Sequence, residues 1–244
     1  MRTPHTVFQN RRLLESAPRL IVLWTAVAIA IINAGPSPVA SKGTVTEADV
    51  VLDTANAPML SGTFQTVNDG FGVAQQITSH NLPLDTTGIY LVLATPDVTD
   101  IRPDGSMYCT PGAFPHHGTA DVSGVPLKYA FIGHPMRCPT SAAPQFIGPD
   151  GSMLPSPNGN FAADGMASMI AHALSALVTN PSGTGWFDRF GFENAAKCQG
   201  TFGQTYQTAS GAGANIKLGA RDYLLQQNWV NARKGYCGLS APGP

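Results

Sequence analysis

Charged side chains are scarce in this sequence, since Asp, Glu, Lys and Arg together make up 12% of its 244 residues. Four of the 14 basic residues and one of the 15 acidic residues precede residue 41, so the remainder carries 10 basic and 14 acidic side chains. A surface that binds nucleic acid needs a basic stripe to neutralise phosphates, and this composition provides no such excess. The composition therefore argues against a nucleic-acid-binding protein.

Several motifs of well-known enzyme classes are also missing from the sequence. There is no G-x-S-x-G nucleophile elbow, no G-x-x-x-x-G-K phosphate loop, and no C-x-x-C pair of a zinc knuckle or redox centre. The H-E-x-x-H helix of the zinc peptidases does not occur either. No single motif therefore predicts a hydrolase, a nucleotide-binding enzyme or a zinc finger.

One long apolar run lies near the amino terminus and is short for a membrane span, which needs about 20 residues. It reads LIVLWTAVAIAII (residues 20–32), follows four arginines, and precedes the small-residue segment NAGPSPVASKG. This order of basic, apolar and small residues is typical of a secretory signal peptide, with cleavage after Ala40 or near Ala34. An uncleaved single-pass anchor over residues 20–34 is the first alternative, and a wrongly assigned start is the second.

All four cysteines follow this segment, at Cys109, Cys138, Cys198 and Cys237. An exported chain with an even number of cysteines is expected to form disulfides, and four cysteines allow three pairings. Pairing of nearest neighbours would close loops of about 30 and 40 residues, each contributing about 3–4 kcal/mol by the chain-entropy estimate. Four buried free thiols are the less favoured alternative.

Two apolar runs and one amphipathic segment predict an α+β fold. The runs GIYLVLAT and LKYAFIG contain β-branched and aromatic residues and predict buried strands over residues 89–95 and 127–133. Residues 165–178 follow the 3.6-residue period of a core helix, and Asp164 is the expected N-cap. With 26 Gly and 20 Pro the chain should be rich in loops. We therefore predict a single domain in which a mixed sheet packs against one long core helix, stapled by disulfides.

His172 on the predicted helix raises the question of a metal site. A zinc-peptidase helix places a glutamate directly after its first histidine and a second histidine one turn later, whereas these positions are Ala173 and Ala176 here. A structural histidine is therefore the economical interpretation. His116 and His117 follow a turn and His134 follows a predicted buried strand, so these histidines could converge with His172. Neighbours along a chain rarely both face one ion, so His116 or His117 would serve, seldom both.

Five segments occur in a fixed order along the chain, and they are GIYLVLATPDV, MYCTPGAFPHHG, DGMASMIAHALSALVTNPSGTGWFD, ENAAKCQGTFG and GARDYLLQQNWV. Together, and with the four cysteines in corresponding places, they resemble the EXORDIUM or phosphate-induced protein 1 family of secreted plant proteins. The resemblance covers about residues 63–237. It divides the chain into a signal peptide or signal anchor (1–40), a poorly matched linker (41–62) and an EXORDIUM-like domain (63–240).

The resemblance implies an extracellular protein of the apoplast or cell wall that is linked to growth and cell expansion, with responses to brassinosteroid and carbon status. It implies no established enzymatic activity, so we expect a non-catalytic protein that binds a cell-wall or other extracellular component. We expect no nucleic-acid partner, and membrane attachment only if the amino-terminal segment stays uncleaved.

Microbial relatives of this domain carry A-H-E-L-x-E followed by T-D-P and G-W-Y-D, which implies a metallopeptidase-like outline. This chain keeps His172, the T-N-P turn and G-W-F-D, but has alanine at both glutamate positions. The resemblance thus implies a remnant of a metal site, with His117 and His172 as the surviving ligands of a zinc ion. A third ligand would be sought near Glu193 and Asn194. A metal-dependent hydrolase with an altered site is therefore the alternative function.

Overall fold

The computed structural model describes residues 84–86, 88–96, 98, 105–110, 115–232 and 234–240, and the backbone of four further strands. These are β1 (Ala28–Asn33), β2 (Val50–Asp53), β3 (Thr63–Gln65) and β5 (Thr99–Ile101). The rest of the predicted signal segment 1–40 and linker 41–62 lies outside the described residues. Both assignments therefore stay predictions.

A five-stranded mixed sheet lies at the centre of the fold. Its order is β2-β1-β4-β7-β6, where β4 is Gly88–Leu93, β6 is His116–Val122 and β7 is Val125–Ile132. β4 and β7 run parallel, and the other neighbouring strands run antiparallel. Ser123 and Gly124 join β6 to β7 with positive φ at both positions, the backbone of a tight hairpin turn. Both predicted strands and the mixed character of the sheet are confirmed.

β4 is an inner strand and shows why its sequence is apolar throughout. It lies between β1 and β7, and all six of its residues are buried. A strand covered on both faces has no position for a polar residue, so the usual alternation of polar and apolar side chains disappears. Leu127, Phe131 and Ile132 of β7 are likewise buried and join the same core.

The predicted core helix is present and runs over Phe161–Thr179 as α2, following a shorter helix α1 at Pro139–Ala142. It packs on β6 and β7, and its apolar face joins the core of the sheet. By length and composition α2 is also apolar enough to cross a membrane, but more than half of it is buried inside the protein. The helix is therefore a core element.

The start of α2 differs from the prediction. Its N-cap is Asn160, whose side-chain oxygen accepts a hydrogen bond from the backbone N–H of Ala163 at 3.0 Å. Asp164 lies inside the first turn, buried, and its carboxylate accepts from the backbone and side chain of Asn158. The helix begins earlier than its apolar stripe because the N-cap position depends on which oxygen reaches the free N–H groups.

The remaining described elements are short. Two 3-10 turns lie at Pro135–Arg137 and Pro144–Phe146, and helix α3 covers Asn194–Lys197. Six short strands, β8 to β13, follow in chain order at Tyr206–Gln207, Gly213–Ala214, Ile216–Leu218, Arg221–Tyr223, Asn228–Val230 and Tyr236–Gly238. Small two-stranded sheets pair β3 with β5, β8 with β9, β10 with β11, and β12 with β13.

Two disulfides staple these loop-rich segments. Cys109 pairs with Cys138, and Cys198 pairs with Cys237, at sequence separations of 29 and 39 residues. Nearest neighbours therefore pair, and all four cysteines are used. The second bridge ties the end of α3 to β13, which fixes the position of the segment that carries the candidate site.

Candidate functional site

Strand β6 sends its two neighbouring histidines to different surroundings, because successive side chains of a strand point to opposite faces. The His116 ring stacks on Phe131 with their centroids 5.7 Å apart. The His117 ring instead contacts the carboxylate of Glu193. Of this pair, His117 is therefore the residue that faces the candidate site.

His117 and Glu193 form a close ionic hydrogen bond. Nε2 of His117 lies 3.0 Å from Oε1 and 3.2 Å from Oε2 of Glu193, and the two side chains are 10% and 22% exposed. An ionised carboxylate can only accept, so Nε2 carries the hydrogen. Nδ1 of His117 is buried without a hydrogen-bond partner in the described part of the chain. Both oxygens of Glu193 are thus directed at a partner within the protein.

Asn180 holds the same carboxylate from the end of α2. Its Nδ2 donates to Oε1 of Glu193 at 2.6 Å, and its Oδ1 accepts from the backbone N–H of Gly185. Position 185 requires glycine, because a Cβ there would overlap the carbonyl oxygen of Thr179. The T-N-P turn and the glycine of the G-W-F-D segment therefore act together to position Glu193.

The hydrogen bonds decide the charge of Glu193. Partial burial raises the pKa of its carboxyl, but hydrogen bonds from His117 and Asn180 favour the ionised form and hold the pKa below its ordinary value. Glu193 is therefore a carboxylate at neutral pH.

His172 projects from α2 into a buried polar environment. Its Nδ1 lies 3.2 Å from Nε2 of Gln226, which also donates to the carbonyl oxygen of Ala195 at 2.8 Å. Burial lowers the pKa of His172 to about 4, a shift opposed by the Gln226 hydrogen bond and the negative charge of Glu193 and aided by the charge of His117. His172 is therefore neutral at pH 7, and since Nδ1 accepts, Nε2 carries its proton.

Of the residues that the sequence analysis named for a metal site, the structure thus brings together His117, Glu193 and His172. His117 contacts Glu193, and both lie near enough to His172 for their charges to affect its pKa. Asn194 is directed elsewhere, because its Nδ2 donates to Oγ of Ser175 at 2.7 Å. Sequence reasoning missed the role of Gln226, for which the sequence carries no signal.

Comparison with known proteins identifies the family. Residues 31–234 match the family model described as the phosphate-induced protein 1 conserved region. The chain belongs to the phosphate-induced protein 1 family.

Similar curated proteins of this family come from Arabidopsis thaliana. Protein EXORDIUM-like 3 is 31% identical over 187 residues, which cover 68% of this chain and 54% of the relative. Protein EXORDIUM-like 5 is 29% identical over 180 residues, which cover 64% of this chain and 48% of the relative.

The phosphate-induced protein 1 match reaches further upstream than the resemblance at residues 63–237. It starts at residue 31, inside the predicted signal segment, and includes the predicted linker 41–62. The chain spans about half the length of the curated relatives it matches. No solved structure matches the chain.

The predicted metal ligands do not fit an ion as they are arranged. Within the described ranges, no three His, Cys, Asp or Glu side chains form a group that could hold a metal. Nε2 of His117 is directed at Glu193, and Nδ1 of His172 is directed at an amide of Gln226. Zinc ligands are normally three or four unprotonated donors that converge on one point. We therefore derive no chemical step through a metal in this phosphate-induced protein 1 domain.

Proposed function

We propose that this chain is a secreted EXORDIUM-like protein of the apoplast or cell wall that acts by binding and not by catalysis. Its family membership and its two disulfides support this proposal, because disulfides persist in oxidising, extracellular compartments. The link to growth and cell expansion belongs to the proposal and rests on the family resemblance.

One observation carries the non-catalytic part of the proposal. Ala173 and Ala176 occupy the glutamate positions of the metallopeptidase-like pattern, and they are 0% and 1% exposed. The helix therefore presents no carboxylate beside His172 that could bind a metal or activate water. Glu193 does not replace it, because His117 and Asn180 already use its oxygens.

A metal-dependent hydrolase is the second candidate, and the approach of His117, Glu193 and His172 favours it. Two imidazoles and one carboxylate are a ligand set that catalytic zinc sites use. This candidate would require Glu193 to leave Asn180 and His172 to turn from Gln226. The metallopeptidase-like outline would then also apply to this fold.

The deciding experiment measures metal in the secreted protein. The full chain is expressed in a plant secretory host, purified from the medium without a tag, and its elemental content is measured by mass spectrometry beside a His172→Ala variant. We expect no stoichiometric metal in either protein, because the donors of the site are engaged with one another. About one zinc per chain that disappears in the variant would contradict the proposal and favour the hydrolase.

The same preparation tests localisation. We expect the protein in the medium with no reactive thiol after unfolding without reductant, because both disulfides form during export. Full-length protein confined to the membrane fraction would support the tethered alternative, in which residues 20–34 act as a single-pass anchor.

A further inference from the structure

A small cavity lies beside His172, between α2, the turn after α1 and the segment after α3. Its interior volume is about 90 Å3 and one side is open to solvent, so it can enclose part of one small ring but not a larger ligand. Its polar lining consists of Ser141, Gln145, Ser168, His172, Gln199 and Gln226. Alanine, proline, methionine and phenylalanine side chains form the rest of the wall.

The charge of the lining limits what this cavity can bind. Among the described residues that line it there is no Asp, Glu, Lys or Arg, and its histidine is buried and neutral at pH 7. A phosphate, a carboxylate or a metal ion would find no counter-charge there and would lose its hydration. A purely apolar ligand would leave amides and hydroxyls without water, which costs free energy too. The cavity therefore suits a neutral ligand that has many hydrogen-bonding groups.

Some polar side chains of the lining already have hydrogen-bond partners within the protein and hold the wall of the cavity in place. Gln226 donates through Nε2 to His172 and to the Ala195 carbonyl, so this amide is used within the protein. Oγ of Ser168 accepts from the backbone N–H of Gln226 at 3.1 Å. That bond uses the oxygen only, so the hydroxyl proton of Ser168 can still be donated.

A second observation that points to a ligand, besides the cavity itself, comes from the side chain of Gln145. Its Nε2 is buried, and it has no hydrogen-bond partner in the described part of the chain. A buried donor that is left unsatisfied destabilises a protein by about 1–3 kcal/mol, so its retention calls for a physical reason. Rotation of the side-chain amide toward the cavity would let this donor reach a ligand. Gln199, which is an exposed residue, also lines the cavity.

We propose that this cavity binds one ring of a neutral sugar at the end of a glycan. Gln145, Ser168 and Gln199 hydrogen-bond its hydroxyl groups. The ring of Phe202 packs against its C–H face. A side-chain amide offers both donors and an acceptor, which matches the donor and acceptor character of adjacent hydroxyls. The inference deepens the proposed binding function and rests on it.

The test is a titration of the secreted, isotope-labelled full chain with monosaccharides, followed by amide chemical shifts. The probes are the neutral sugars glucose, galactose, xylose and arabinose, with galacturonate and glucosamine as charged counterparts. We expect at least one neutral sugar to shift the amide signals of Gln145, Ser168, Gln199 and Gly200. We expect its charged counterpart to bind more weakly, because the cavity has no counter-charge for it.

Two variants distinguish a ligand-binding role from a structural one. Gln145→Met keeps the length of the side chain and removes the unsatisfied donor, so we expect binding to weaken about fivefold or more while the free protein becomes no less stable. Gln199→Ala should weaken binding to a similar extent. Gln207→Met, on exposed β8, is the matched control and should bind as the original chain does.

Three results would overturn the inference. One is the absence of shifts for every sugar at tens of millimolar. Another is a set of shifts confined to residues away from the cavity, and the third is unchanged affinity in the Gln145→Met protein. These failures are separate from failure of the proposed function, which the metal content and the location of the protein decide. A metal-free secreted chain that binds none of these sugars would refute only the sugar site.

Discussion

The buried, neutral state of His172 makes the stability of the fold depend on pH in a predictable range. Its folded-state pKa of about 4 lies below the value of 6.5 for an unperturbed histidine. Because the folded pKa is depressed, the unfolded chain binds a proton first as the pH falls below 6.5. Stability that is fully present above pH 6.5 is therefore lost progressively toward pH 4.

The magnitude follows from the same two pKa values. Linkage gives a loss of about 2 kcal/mol between pH 7.5 and pH 5, and about 3 kcal/mol by pH 4. The other titrating groups that face His172 are His117 and Glu193. Glu193, whose pKa is lowered in the folded state, contributes stability that is lost below about pH 4.5, so its contribution is constant above pH 5. Comparison with a variant that lacks only His172 separates this residue from the other histidines.

The assay is urea unfolding with both disulfides intact, repeated from pH 7.5 to pH 4 on the original chain and on a His172→Gln variant. Glutamine can still accept from Gln226 but cannot take up a proton, so its stability should change by about 2 kcal/mol less between pH 7.5 and 5. Parallel losses of stability in the two proteins would refute the assignment of a buried, neutral His172.

Three further perturbations test the rest of the structure. Glu193→Gln removes a negative charge that accepts two hydrogen bonds, so we expect a loss of about 1–2 kcal/mol in thermal unfolding, and an unchanged midpoint would contradict the site geometry. Gly133→Ala would drive a Cβ into a buried tyrosine ring and should cost about 1–3 kcal/mol, whereas Gly213→Ala meets open space and is its control, so equal losses would argue against this packing. Replacing both Cys198 and Cys237 by serine should lower the free energy of unfolding by about 3–4 kcal/mol, and a loss below about 1 kcal/mol would exclude the chain-entropy account.

The fold elements that could be predicted are those whose pattern of apolar residues follows directly from which faces are buried. β4 is apolar at every position because both of its faces are covered, and α2 carries its stripe because one face meets the sheet. The start of α2 could not be predicted in the same way. Asn160 and Asp164 are both good N-caps, and Asn158 decides between them by engaging the carboxylate of Asp164 through a contact that the sequence does not reveal.

For a related reason, the sequence predicts some residues of the candidate site but not their hydrogen-bond partners. His117 and Glu193 stand out as residue types, but they are 76 positions apart and meet only because β6 and the segment before α3 approach each other. Glu193 accepts from an amide in a turn, that of Asn180, and His172 contacts an amide of the carboxyl-terminal region, that of Gln226. Amides in irregular segments follow no period, so only the folded structure shows which polar groups they satisfy.

The missing base and the low pKa of His172 have one physical origin. Ala173 and Ala176 are small, and their full burial lets α2 pack closely in the core around His172. A glutamate at either position would have to be desolvated without a counter-charge, at a cost of several kcal/mol, or would force the helix away from the sheet. His172 itself is only 7% exposed, and this burial lowers its pKa. We therefore expect a chain that regained the glutamate alone to lose stability before it gained a catalytic base.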